Sequence, residues 1–144
     1  MNVRLIVPAI DTLFVHNHGE ITTIGAYTAR KFSIIVTNCP AKVNVELNTS
    51  IFKLEYGDGA ADISIRGYSR DAYIYNGGFG KVNALELSTK YLIVDSHSSN
   101  DTWIRGGDLL LDAKIESIGN VYYTNRSQKI ITYLYSTGRL IHLD

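Results

Sequence analysis

Tyrosine is the residue type in this chain that is best suited to binding a ligand, since the sequence contains ten of them. Four stand as two pairs at alternating positions of β-rich segments: Tyr73, Tyr75, Tyr133 and Tyr135. Alternate side chains of a strand point to the same side, so all four rings point outward if Ile74 and Leu134 point inward. Outward rings can stack on sugars and donate hydroxyl hydrogen bonds, or they can form a cross-strand ladder that only stabilises the sheet. Trp103, the single tryptophan, could anchor either arrangement.

Histidines and carboxylates are the other candidates for chemistry. His16 and His18 alternate and could hold a metal ion as neutral imidazoles, but no third ligand stands near them in the sequence. His97 and His142 stand alone, and we expect them to face solvent. A glycoside hydrolase needs a pair of carboxylates, and the available aspartates are Asp58, Asp62, Asp95, Asp101, Asp108 and Asp112. Most lie in or beside turns, where aspartate bonds to nearby backbone, so we predict no catalytic, cofactor-binding or metal-binding residue.

Composition narrows the classes of function. Lys+Arg and Asp+Glu both number 14, which gives a formal net charge of +0, whereas nucleic-acid binders usually carry a basic excess that neutralises phosphate. The single cysteine, Cys39, cannot form an internal disulfide and lies in no zinc-binding pattern, so we assign it to the core or a turn. No apolar stretch approaches the ~20 residues of a transmembrane helix, and the N-terminus shows no signal peptide.

A turn motif repeats along the chain. The tripeptides starting at Gly80, Gly119 and Gly138 share the order glycine, polar, aliphatic. The distance from the first glycine to the second is about two periods of a ~20-residue repeat, and the distance from the second to the third is about one period. Runs rich in β-branched and aromatic residues precede the turns at residues 31–36, 51–56, 72–75, 91–94, 111–115 and 130–135. Shorter runs follow the turns, and no segment shows the apolar period of an amphipathic helix.

This pattern predicts an all-β, single-domain parallel β-helix, or solenoid, over residues 1–144 with about twenty residues per coil. We expect residues 1–30 to supply N-terminal capping strands and residues 31–144 to form the repeated coils. The segment from Val3 to Ile10 would then fold over the first coil. A right-handed wind is expected from the crossover rule for parallel strands. An antiparallel sandwich or barrel is the alternative, but hairpins seldom keep one turn motif in phase over several units.

The segments that carry the repeat resemble a known family. Residues 111–123, residues 82–87 with the strand at 91–94, and the opening strands at 5–8 and 13–16 are similar to the head-GIN domain family of autotransporter-adhesin domains. The family's Gly-Ser-Gly turns are replaced here at residues 96–100 and 116–119. The resemblance covers essentially the whole chain and rests on structural turns. It implies a periplasmic, outer-surface or secreted β-helix and assigns no binding residue.

Three functions are compatible with these features. The first is a non-enzymatic cell-envelope or surface module that binds a glycan or a protein through a face formed by the four tyrosines and Trp103. The second is a structural scaffold, a homo-oligomer that assembles through the strand edge of Leu140, Ile141 and Leu143. A small carbohydrate-active enzyme is supported least, because this chain is much shorter than is usual for such β-helix enzymes. We therefore predict a binding module that is not an enzyme and that takes neither a cofactor nor nucleic acid.

Overall fold

The computed structural model describes Arg4, Ile6 and residues 10–16 and 18–143 of the chain. Within these residues the chain forms eleven β-strands and no helix, so no described helix could cross a membrane. The strands are β1 (Thr12–Val15), β2 (Glu20–Thr22), β3 (Tyr27–Val36), β4 (Lys42–Tyr56), β5 (Asp62–Asn76), β6 (Val82–Ser96), β7 (Thr102–Arg105), β8 (Leu110–Ile115), β9 (Val121–Thr124), β10 (Lys129–Leu134) and β11 (Leu140–His142).

The strands pair in parallel, each with the equivalent segment of the neighbouring coil. Leu54 is the partner of Ile74, and Ile74 is the partner of Val94. The same column continues with Ala113 and then Thr132, so each of these two later steps is one residue shorter than the steps before it. The predicted parallel β-helix with about twenty residues per coil is therefore confirmed, while its handedness stays a prediction.

Each coil contributes to two sheet layers that enclose the core. In β4, residues 42–49 belong to the first layer and residues 51–56 to the second. Strands β4, β5 and β6 run through both layers and bend once, near Ser50, Arg70 and Lys90, where the alternation of buried and exposed residues shifts by one position. Strand β3 also runs through both layers, since residues 27–29 pair with residues 47–49 and residues 31–36 pair with residues 51–56. The remaining strands each lie in one layer, with β2, β7, β9 and β11 in the first layer and β1, β8 and β10 in the second.

The core lies between the two layers because alternate residues of every strand point inward. In β4, Val43 and Leu47 of the first layer and Phe52 and Leu54 of the second are each at most 1% exposed. Burying such a side chain stabilises a fold by about 1.5–3 kcal/mol. Cys39 also lies in this core, as its surroundings in the sequence predicted. The apolar residues of successive coils therefore stack in columns along the solenoid.

Close contact between successive coils explains the repeated turn glycines. Gly80, Gly119 and Gly138 do not adopt a positive φ, which is the usual reason for glycine in a turn. Instead, a Cβ atom at each of them would overlap a backbone carbonyl oxygen of the preceding coil, that of Ala61, Asn100 and Gly119 respectively. The motif found in the sequence therefore marks the point where one turn rests on the turn before it.

Tyr56 joins the turn of its own coil to the next one. Its side chain is fully buried, and its hydroxyl oxygen lies 2.7 Å from the carbonyl oxygen of Gly59 and 3.0 Å from that of Ala61. The same hydroxyl accepts a hydrogen bond from the backbone N–H of Gly80 at 3.0 Å. Burial raises the pKa of Tyr56, so the hydroxyl stays protonated and keeps its donor role. One phenol thereby holds two neighbouring turns together.

Strands β1, β2, β10 and β11 belong to the first and last described coils. Strand β1 pairs with β3, and β2 pairs with β4, in the same parallel register as the later coils. The predicted capping segment from Val3 to Ile10 lies largely outside the described residues, so its capping role stays a prediction. At the other end, β10 and β11 each pair with one described strand, β8 and β9 respectively.

Replacing Gly119 with alanine should destabilise the protein by about 1–3 kcal/mol, the usual cost of overpacking, because the new methyl group would overlap the carbonyl oxygens of Ser98 and Asn100. Urea unfolding followed by circular dichroism measures the change. Gly57→Ala is the matched control, since its Cβ atom would lie 3.6 Å from the nearest atom, in Thr37. We expect the control to change the free energy of unfolding by less than about 1 kcal/mol. Equal losses in both variants would contradict this explanation of the turn glycines.

Candidate functional site

The outer side of the second layer, which we call the second-layer face, is the candidate site. The parallel register arranges its outward side chains in rows that run along the solenoid, with one residue from each coil. Three adjacent rows are Lys53, Tyr73, Ile93, Asp112 and Ile131; Glu55, Tyr75, Asp95, Lys114 and Tyr133; and His97, Glu116 and Tyr135. Neighbours within a row are one full coil apart in the sequence, so the fold assembles this face from distant segments.

The four predicted tyrosines lie on the second-layer face in two groups. Ile74 is completely buried, so Tyr73 and Tyr75 of β5 point outward. In the coil of β10, Tyr133 continues the row of Tyr75, and Tyr135 lies in the adjacent row with His97 and Glu116. The three strand spacings between the groups amount to about 14 Å. Tyr133 and Tyr135 are 48% and 65% exposed, respectively, whereas the other two rings are half-buried. The tyrosines therefore form two separate groups on one face.

Three of these rings pack against a basic side chain from a neighbouring coil. The pairs, with the distance to the tyrosine ring centre, are Lys53 Nζ with Tyr73 at 5.6 Å, the His97 ring with Tyr75 at 5.0 Å, and Lys114 Nζ with Tyr135 at 5.7 Å. A cation held over a ring face is attracted by the ring's electron density. No two of the four tyrosines stack on each other in the described structure. The arrangement is therefore not the tyrosine ladder that the sequence left open.

A cluster of charged residues lies between the two groups of tyrosines. The Nε2 atom of His97 lies 2.8 Å from Asp95 Oδ1 and 2.5 Å from Glu116 Oε2. Lys114 Nζ lies 3.1 Å from the other oxygen of Glu116. His97 faces solvent as predicted, with 36% of its side chain exposed, but the prediction that it is isolated is wrong, because two carboxylates and the ring of Tyr75 contact its imidazole. Glu116 belongs to the next coil, and only the register of the coils brings it to the imidazole.

Two pKa shifts describe the protonation of this face. Burial, together with the nearby carboxylates of Asp95 and Glu55, raises the pKa of Tyr73, so its hydroxyl stays protonated at neutral pH. The hydrogen bond to Glu116 raises the pKa of Lys114, which therefore stays cationic. The face thus presents hydroxyl donors, ammonium groups and carboxylate acceptors side by side.

Trp103 does not lie with the tyrosines, contrary to the prediction that they share a face. It belongs to β7 in the first layer, where its ring stacks on that of Tyr122 in the next coil with centres 5.6 Å apart and planes at 15°. Lys81 Nζ, from the preceding coil, lies 4.8 Å from the centre of the indole ring. With a partner on each side along the solenoid, Trp103 belongs to a cross-strand ladder that stabilises the first layer.

Sequence reasoning missed a polar hollow on the outer side of the first layer. Its volume is about 330 Å³, and its polar lining residues are Asn44, Ser64, Arg66, Asn83 and Glu86. A register shift between β5 and β6 lies at this point. Arg66 donates a hydrogen bond to Asn44 Oδ1 at 2.5 Å and lies 3.4 Å from a carboxylate oxygen of Glu46. Because Asn44 and Glu46 already bind the Arg66 guanidinium, we assign no ligand to the hollow.

The turn aspartates accept hydrogen bonds that join successive coils. The pairs of carboxylate and donor are Asp58 with the Asn38 N–H at 2.5 Å, Asp62 with the Lys81 N–H at 3.1 Å, Asp101 with the Asn120 N–H at 2.8 Å, and Asp108 with the Asn125 amide at 2.9 Å. This agrees with their placement at turns in the sequence analysis. Of the six aspartates considered there, Asp95 and Asp112 lie on the second-layer face.

Comparison with known proteins supports the resemblance seen in the sequence. A family model described as "Putative auto-transporter adhesin, head GIN domain" matches residues 1–127. No curated protein and no solved structure gave a significant match. The matched residues include β1 to β9 and end before β10, so Tyr133 and Tyr135 lie outside the match. Because the match spans most of the sequence, the chain belongs to the head GIN domain family of auto-transporter adhesin-type domains.

Proposed function

We propose that this domain is a non-enzymatic surface module that binds a glycan through the second-layer face. The family is one of surface adhesin-type modules, which supports a periplasmic, outer-surface or secreted location. The observation that carries the proposal is the placement of two exposed rings, Tyr133 and Tyr135, next to the cluster around His97. Exposed rings beside hydrogen-bonding groups are what a sugar ring with its hydroxyls requires.

The rigidity of the face favours this use. The tyrosines and the charged cluster project from paired strands or from residues directly after them, so little conformational entropy is lost when a ligand binds. Sugar hydroxyls can donate to Asp95 and Glu116 and accept from Lys114. Charges occupy the middle of this face, whereas the centres of protein–protein interfaces are depleted of charge. A glycan therefore fits the face better than a protein partner does.

Carbohydrate hydrolysis is not supported, although two carboxylates meet on the face. A glycoside hydrolase places its two carboxyl groups on either side of the scissile bond. Here Asp95 and Glu116 both point at the same nitrogen of His97, and Glu116 also binds Lys114. This arrangement leaves no gap between the carboxyl groups for a substrate, so we propose binding without catalysis.

The double variant Tyr133→Ala/Tyr135→Ala should weaken glycan binding about tenfold or more, since each lost ring contact removes roughly 1 kcal/mol. A glycan array identifies the ligand, and calorimetric titration of wild type and variants gives the affinities. Tyr68→Ala is the matched control, because Tyr68 is 39% exposed but lies beside the bend of β5, away from the second-layer face. Unchanged affinity in the double variant, or an equal loss in the control, would refute the assigned face.

Self-association is a second candidate function that one feature of the structure favours. In the coil of β10 and β11, Ile130 and Leu134 are 39% and 44% exposed although they continue the inward columns of Leu111 and Ile115. Of the edge residues predicted from the sequence, Leu140 packs partly on the core, Ile141 is exposed, and Leu143 is half-buried. Stacking of two such ends would bury these side chains and pair the strand edges.

Under this second proposal, the wild-type mass should rise with concentration in size-exclusion chromatography with light scattering. Leu134→Lys/Ile141→Lys should restore the monomer mass, because two such ends would then repel each other and bury charge. Phe79→Lys is the control, since Phe79 is 64% exposed in a turn of an earlier coil, between β5 and β6. A constant monomer mass over a hundredfold range of concentration would remove the scaffold function and leave glycan binding untouched.

A further inference from the structure

The cluster of Asp95, His97 and Glu116 lies on the proposed glycan-binding face and also offers the donor set of a metal site. We propose that these three side chains form a binding site for one divalent transition-metal ion, for which Zn²⁺ is the best-suited candidate. The three potential ligand atoms all lie within 4.8 Å of one another. The inference stands independently of glycan binding, since it concerns the ion alone.

The fold positions all three side chains through the backbone. Asp95 is in β6 and His97 follows two residues later, so the alternation of the strand sends both side chains outward. The register of β6 with β8 pairs Ser96 with Ile115, which places Glu116 beside His97 in the next coil. Two backbone hydrogen bonds fix this contact, from the His97 N–H to the Asn76 oxygen and from the Glu116 N–H to the Ser96 oxygen, both at 2.8 Å. The ligand set is thus preorganised.

The hydrogen bonding of this cluster is incomplete without a cation. His97 Nε2 has two carboxylate oxygens at 2.8 and 2.5 Å, yet an imidazole nitrogen carries at most one proton. Both oxygens, Asp95 Oδ1 and Glu116 Oε2, are hidden from solvent, and neither has a hydrogen bond of good geometry within the described residues. Leaving a carboxylate oxygen without a partner is costly. A metal ion that accepts all three donor atoms removes this deficit.

The donor types select the kind of ion. One imidazole nitrogen with two carboxylate oxygens suits zinc, whose bonds to such atoms are about 2.0–2.2 Å long and whose geometry is tetrahedral. Ligand atoms in that geometry are about 3.3 Å apart, so each carboxylate oxygen must move away from His97 Nε2 by less than about 1 Å. Magnesium and calcium prefer six or more oxygen ligands and match the set poorly. Three protein ligands leave one zinc position for water or another donor.

Lys114 is a neighbouring cation that would repel a metal ion bound at this site. Its ammonium lies 3.1 Å from Glu116 Oε1 and over the ring of Tyr135, so it already neutralises part of the negative charge. Removing this charge should therefore strengthen metal binding by about tenfold, which corresponds to roughly 1.4 kcal/mol. A variant that gains affinity is a sharp test, because general damage to the fold would weaken binding.

The experiment is calorimetric titration of ZnCl₂ into untagged protein that has been treated with chelator and dialysed. Wild type should bind one Zn²⁺ per chain. His97→Ala and Glu116→Gln should each weaken Zn²⁺ binding by more than the ~10–100-fold that follows when a residue hydrogen-bonded to a metal ligand is lost. His16→Ala is the matched control, since His16 is exposed and its ring contacts Thr37. Lys114→Gln should bind more tightly than wild type, and MgCl₂ and CaCl₂ should give no binding at the same concentrations.

Binding that survives His97→Ala, or no binding by wild type, would overturn the proposed site. Unchanged or weaker binding by Lys114→Gln would remove Glu116 from the ligand set. Circular dichroism melts of each variant without metal show whether it is folded, and His97→Gln replaces the alanine variant if the latter unfolds. In wild type, the ¹⁵N resonance of His97 Nε2 should shift on addition of Zn²⁺ while that of His16 stays in place. The opposite result would place the ion elsewhere.

Discussion

In-register stacking of each coil on the next is the constraint on which this structure depends. A single coil of about twenty residues cannot bury its apolar side chains alone, and its strands find backbone partners only in the neighbouring coils. Between β4 and β5, fourteen residue pairs are in register without a shift. Because side chains alternate along a strand, a slip of one residue would turn the core outward. The repeat length is therefore nearly constant, and the central and C-terminal coils differ in length by a single residue.

The same register dictates what lies inside and at the turns. Most inward residues of the strands are apolar, but a polar column runs beside the bends, where Thr49 donates to Ser69 at 3.0 Å and Ser69 donates to the Asp71 carbonyl at 2.9 Å. Thr49 and Ser69 bond in this way because their buried hydroxyls cannot reach water. At the opposite corner the coils approach so closely that Gly80 and Gly119 admit no side chain. Each coil thus constrains the composition of the next.

Outward rows give the solenoid a binding surface without long loops. Side chains about one coil apart in the sequence, such as His97 and Glu116, become direct neighbours on a rigid sheet. Aromatic rings, an ammonium group and carboxylates then lie within a few strand spacings. Of the four predicted tyrosines, the most exposed are Tyr133 and Tyr135, in the coil that follows the part matched by the head GIN family. The face therefore combines the family's scaffold with residues outside the matched region.

The sequence by itself determined the fold class, because a period of about twenty residues with β-branched runs and turn glycines has few other solutions. It also determined the family, through the turn segments, and the outward direction of Tyr73 and Tyr75, since alternation along a strand is local. Only the tertiary structure decided which residues meet across coils. It separated Trp103 from the tyrosines, because β7 lies in the other layer. It also joined His97 to Glu116, because a contact between coils depends on the register of their strands. A difference of one residue in repeat length changes that register, and no local sequence pattern specifies it.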